Sequence, residues 1–168
     1  NVNDTPTGLP AMTGTVTEDQ TLTADTSTIA DADGLGAFSY QWLRDGVAVS
    51  GATASTYLLG NTDVGALMSV QVSYTDGHGT AESLTSAQTA AGVNVNDVPP
   101  GSPVVTGTAT ENQTLTADAT GIADADGLGA FSYQWLRDGV AVSGATASTY
   151  LLGNADVGAL MSVQVSYT

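Results

Sequence analysis

A chain of 168 residues with an apolar fraction of 42% is long enough to bury ordinary hydrophobic cores, as one large or two small domains. Its 17 acidic residues face two arginines and no lysine, for a net charge of −15. That excludes a nucleic-acid binder, since nothing neutralises phosphates, and argues against docking on anionic membranes, which needs clustered Lys or Arg. The absence of cysteine excludes disulfides, thiolate metal sites and thiol redox chemistry.

The chain repeats itself. Asn1 aligns with Asn94, Ile29 with Ile122 and Trp42 with Trp135, and residues 29–75 match residues 122–168 except at Thr62 and Ala155. The expected domains are therefore 1–93 and 94–168, two copies of one unit with identical neighbours as partners in the same chain. Counterparts of residues 76–91 are missing from the second copy, so it is expected to lack the last hairpin loop and the last strand. No apolar run approaches membrane-spanning length and no signal peptide is visible, so no direct membrane insertion is expected. The chain reads as a monomeric internal slice of something longer.

Helical periodicity is absent, while Thr/Val/Ser/Tyr-rich runs alternate with Gly, Asn and Asp. In the first copy this predicts strands at 11–17, 21–25, 38–44, 47–50, 55–59, 68–75 and 83–90. Phe38, Tyr40 and Trp42 share one strand face, as do Met68, Val70 and Val72, and these are the expected core. Asp45-Gly46 and Asp138-Gly139 signal tight hairpins, because both residues tolerate positive φ. Pro99, Pro100 and Pro103 predict a short, semi-rigid connector. The fold class expected is all-β, two tandem immunoglobulin-like β-sandwich domains joined by a short linker.

The stretch "SYQWLRDGVAVSGATASTYLL" followed by "DVGALMSVQVSYTDGHGT" resembles bacterial immunoglobulin-like repeats. With "NVND" and "DADG" the whole unit resembles extender repeats of giant RTX-type adhesins of Gram-negative bacteria. Trp42 and Trp135 stand where the immunoglobulin core tryptophan would, without its cysteine pair or tyrosine corner. The resemblance implies an extracellular, cell-surface spacer in adhesion and biofilm formation.

Calcium takes six to eight oxygen ligands, often from Asp/Asn-dense loops. The candidates are the linker, Asn94, Asn96 and Asp97 (Asn1, Asn3 and Asp4 in the first copy); Glu18 and Asp19 between the first two strands; the "DADG" pairs Asp31 and Asp33, and Asp124 and Asp126; Asp63 and Asp156; and Asp76. In an antiparallel sandwich alternate loops lie at opposite ends. Glu18, Asp19 and Asp63 are thus expected to face the linker, Asp124 and Asp126, an arrangement that resembles the cadherin interdomain calcium site. Neither an EF-hand glutamate nor a GGxGxD β-roll repeat is present.

An enzyme is not expected. Paired carboxylates without a pocket to tune them apart do no acid/base work, and the single histidine, His78, lies in a glycine-flanked turn. Arg44 and Arg137 are expected to pair with nearby carboxylates. The alternatives are a carbohydrate-binding module, for which Tyr57, Tyr74, Tyr150 and Tyr167 are the available aromatics, and a homophilic adhesion module.

Overall fold

The computed structural model describes residues 2–168, so the Asn1 ligand expectation lies outside the described residues. The protein is all-β, with thirteen strands and two short 3-10 turns among these residues. It separates into two compact units, Asn1–Val95 and Asn96–Thr168, close to the boundary expected from the repeat.

In the first unit, β1 (Ala11–Thr13), β2 (Thr21–Asp25) and β5 (Thr56–Leu58) form one sheet in the order β1-β2-β5. The other sheet runs β4-β3-β6-β7, from β3 (Ser39–Arg44), β4 (Val47–Ala48), β6 (Met68–Thr75) and β7 (Ala81–Thr85). All pairs are antiparallel. The β3–β4 hairpin closes at Asp45-Gly46, whose φ values of +49° and +80° are those of a primed turn. The first strand is shorter than expected because Gly14, at φ +121°, bends the chain away. The last strand ends at Thr85, after which the hydroxyls of Ser86 and Thr89 take over part of the pairing with β6.

Between the sheets Trp42, Met68, Val70 and Val72 are fully buried, as their alternation predicts, while Phe38 and Tyr40 pack on the rim of this core. Leu22, Ile29, Leu59 and Tyr74 complete it. Trp42 stacks on Tyr57 at 5.5 Å, and its indole N–H donates to the Ala54 carbonyl at 2.9 Å, so its one polar atom is satisfied.

The second unit repeats the pattern. One sheet is β12-β9-β8, from β8 (Val104–Thr106), β9 (Thr114–Asp118) and β12 (Thr149–Leu151). The other is β11-β10-β13, from β10 (Ser132–Arg137), β11 (Val140–Ala141) and β13 (Met161–Ser166), with no counterpart of β7 among the described residues. Trp135 is fully buried and stacks on Tyr150.

Candidate metal centre

At one pole of the first unit the loop between β2 and β3, the loop between β6 and β7, and the N-terminal segment converge. Asp31, Asp76 and Glu82 each bring a carboxylate oxygen within 4.8 Å of the others, a group that could hold a metal ion. Tertiary contacts fix each of them. Asp31 accepts the Tyr74 hydroxyl at 2.7 Å and the Asp33 amide at 2.9 Å. Glu82 accepts the Asn3 side-chain amide at 2.8 Å. Asp33 accepts the Asp4 backbone amide at 2.7 Å, and its other oxygen lies 3.0 Å from His78 Nδ1.

Asp76 is the most telling member. It is 6% exposed, and Oδ1 accepts the amides of His78 and Thr80 at 2.8 and 2.7 Å. Oδ2 is buried with no hydrogen-bond partner among the described residues. A buried carboxylate oxygen left without a donor is costly unless a cation or water satisfies it. Burial pushes the Asp76 carboxyl up, but the Thr80 and His78 amides outweigh it and hold its pKa below the usual value. The group is therefore ionised under ordinary conditions, as a metal ligand must be. Burial, then the Asp31 carboxylate, drive the Tyr74 phenol far up, so it stays a neutral donor.

The same clasp recurs in the second unit. Asp97 donates its amide to Asp126 Oδ2 at 2.8 Å, Asp126 donates to Asp124 Oδ1 at 2.9 Å, and the Tyr167 hydroxyl bonds Asp124 Oδ2 at 2.6 Å. The bond to Asp124 first, and burial second, push Tyr167 up to about 12. Asn96 is exposed and turns its side chain onto the Asp97 carbonyl. Asp97 Oδ2, like Asp76 Oδ2, is buried without a hydrogen-bond partner among the described residues.

At the other pole of the first unit Glu18 is 3% exposed, and its carboxylate accepts the Val95 amide at 3.1 Å, so it ties down the segment that leaves the sandwich. Asp19 is exposed at φ +60° and acts as a turn residue; Asn112 holds the matching place at φ +64°, which explains why Asp and Asn interchange there. Asn94 is exposed.

Asp63 has a different setting from the one expected of a ligand facing the linker. Its buried carboxylate pairs with Arg44 at 2.7 Å, accepts the Gly60 amide at 2.9 Å and meets the Tyr57 hydroxyl at 3.1 Å. Asp156, Arg137, Tyr150 and Gly153 repeat this arrangement, in which the Gly153 amide, then Arg137, hold the Asp156 carboxyl below its usual value. Both arginines thus pair with carboxylates, as expected, and they occupy those of Asp63 and Asp156.

Sequence reasoning missed Glu82. The signal was the hairpin itself, because pairing Thr75 with Ala81 sets Glu82 opposite Tyr74, beside Asp31. The four tyrosines considered for carbohydrate are committed internally. Tyr57 and Tyr150 stack on tryptophans, and Tyr74 and Tyr167 meet Phe38 and Phe131 edge-on. No protein-family model matches the chain, and no curated protein matches it.

Proposed function

We propose that the chain is a calcium-rigidified spacer of a bacterial cell-surface adhesin, with each sandwich acting as a structural unit rather than a catalyst. The observation that carries this reading is the orphaned, buried Oδ2 of Asp76 in the group with Asp31 and Glu82. Asp31, Asp76 and Glu82 would hold the ion, with Asp33 keeping Asp4 against the same loops. In the second unit Asn96, Asp97, Asp124 and Asp126 are the matching candidates at its own pole, where the clasp is repeated.

The physical effect would be a restraint. Without the ion, gathered carboxylates repel one another and the N-terminal segment rests on the Asp4–Asp33 and Asn3–Glu82 hydrogen bonds. With it, Asp31, Asp76 and Glu82 would be fixed to one another and the segment bonded to Glu82 held with them, which stiffens the chain where it joins a sandwich. Extracellular modules commonly bind calcium at roughly 10⁻⁴–10⁻³ M, and an ion bound only by the folded state also stabilises it by mass action.

Calorimetric calcium titration, with small-angle scattering and melting in calcium and in excess chelator, tests the reading. Saturable binding, a higher melting temperature and a larger or sharper maximum dimension are expected. Binding absent at millimolar calcium rejects it; binding without a change in dimension leaves a stabilising ion and rejects the spacer mechanism.

A further inference from the structure

The two copies differ mainly before Ile29, and one difference changes the chemistry of a turn. Glu18-Asp19-Gln20-Thr21 in the first copy is Glu111-Asn112-Gln113-Thr114 in the second. Exchanging Asp for Asn creates the triplet Asn-x-Thr with x other than proline, the acceptor signature for an N-linked sugar. The side-chain amide is the group that receives the sugar, and the hydroxyl two residues on is what a transferase recognises beside it.

The backbone of this turn is pinned while its side chains are not. The Asn112 amide donates to the Leu152 carbonyl at 2.9 Å, the Leu152 amide to the Gln113 carbonyl at 3.0 Å, and Thr114 opens β9 opposite Leu151. Asn112, Gln113 and Thr114 are exposed, and among the described residues neither the Asn112 side-chain amide nor the Thr114 hydroxyl makes a hydrogen bond. The exposure belongs to the turn itself, because Asp19, Gln20 and Thr21 are exposed in the first unit, where the segment that follows β6 is in place. At φ +64° the position suits Asp and Asn alike, so the backbone does not choose between them. The other Asn-x-Thr triplet is Asn3-Asp4-Thr5. There the Asn3 side-chain amide donates to Glu82 at 2.8 Å and the Asp4 amide to Asp33 at 2.7 Å, which commits that asparagine to the candidate metal centre.

We propose that Asn112, in preference to Asn3, is an acceptor for an N-linked sugar, transferred from a nucleoside diphosphate hexose by a glycosyltransferase that reads Asn-x-Thr. Asn112 Nδ2 attacks the anomeric carbon and a carbon–nitrogen bond forms. The bond from that carbon to the diphosphate oxygen breaks, its electron pair leaves on the nucleoside diphosphate, and an amide proton passes to a base of the transferase. The turn precedes β9 and the loop carrying Asp124 and Asp126 follows it, so sugar and candidate ion occupy opposite ends of the second sandwich. A bulky hydrated group on these exposed residues displaces no core side chain, and the fold is expected to tolerate it.

Incubating the 168-residue chain with UDP-glucose and a bacterial N-glycosyltransferase of Asn-x-Ser/Thr specificity, followed by peptide mapping in a mass spectrometer, tests this. A single hexose at Asn112 is expected, arriving before any at Asn3. Asn112→Asp, which restores the residue of the first copy, is expected to abolish that addition. Thr114→Val is expected to lose most of it and Thr114→Ser to keep it, with unchanged circular dichroism in all three variants because both positions are exposed. Asn112 left unmodified while an unstructured peptide carrying Glu-Asn-Gln-Thr gains hexose in the same mixture overturns the proposal. So does Asn3 reacting at least as fast as Asn112 in the folded chain, or addition that Thr114→Val leaves unchanged. Calcium takes no part in the measurement, so its outcome is separate from that of the metal reading.

Discussion

The backbone amide of Asp4 donates to Asp33 Oδ2 at 2.7 Å, across 29 residues of chain. Asp97 and Asp126 repeat the bond at 2.8 Å with the same spacing. The Asn-Val-Asn-Asp tetrapeptide is thus more than a polar spacer, since in each unit its aspartate is pinned to the second carboxylate of "DADG".

Asp126→Ala removes the acceptor of the second clasp. A single partly exposed hydrogen bond contributes about 0.5–1.5 kcal/mol, so the melting temperature is expected to change little while exchange of the Asp97 amide accelerates by up to about tenfold. Hydrogen exchange followed by NMR reads both. An unchanged Asp97 exchange rate would show that the clasp does not hold the segment.

Asp76→Asn separates the cost of the orphaned oxygen from its use. The asparagine oxygen can still accept the His78 and Thr80 amides, while the unpartnered carboxylate oxygen is replaced by an amide. In chelator the variant is expected to change little in melting temperature, relief of the orphaned oxygen offsetting loss of the ionised acceptor, and in calcium to lose most of the calcium-dependent rise. A parent-like calcium response would remove Asp76 from the ligand set.

Arg44→Ala leaves the Asp63 carboxylate buried without its cation. Breaking such a pair from one side costs about 3 kcal/mol, whereas the double variant Arg44→Met, Asp63→Leu is expected to cost much less because no charge remains buried. Denaturant melts of the two variants and of each single change form the cycle. Equal losses in the Arg44→Ala and double variants would contradict the assignment.

Acid and alkali act on different groups. Asp76 and Asp156 have folded pKa values below 3.8, so they favour the folded state above that pH and the contribution is lost as pH falls through the depressed values. Tyr74 and Tyr167 are raised above 10, so their contribution is complete below pH 10 and is lost as pH rises through their folded values, about 12 for Tyr167. Phenolate absorbance is expected to show these two tyrosines ionising late, and Asp31→Asn to bring Tyr74 forward. Six tyrosines ionising together near pH 10 in the folded protein would refute this.

Local signals were legible in the sequence. The duplication, the all-β class, seven strands in the first copy, the alternating faces of β3 and β6 and the Asp45-Gly46 hairpin all follow from short-range pattern and turn chemistry. So did the gathering of Asp31, Asp33 and Asp76 at one pole, because alternate loops of an antiparallel sandwich share an end.

The role of each carboxylate was decided by tertiary structure, because it depends on what the side chain faces across the fold. Asp63 and Asp76 look alike in sequence, yet one is neutralised by Arg44 and the other keeps a buried oxygen without a donor. Glu82 reaches the acidic group only through the β6–β7 register, and Asp19 is a turn residue only because its backbone is left-handed. Composition and spacing determine which elements form; pairing between distant strands determines which polar groups are satisfied, and so where a ligand is still wanted.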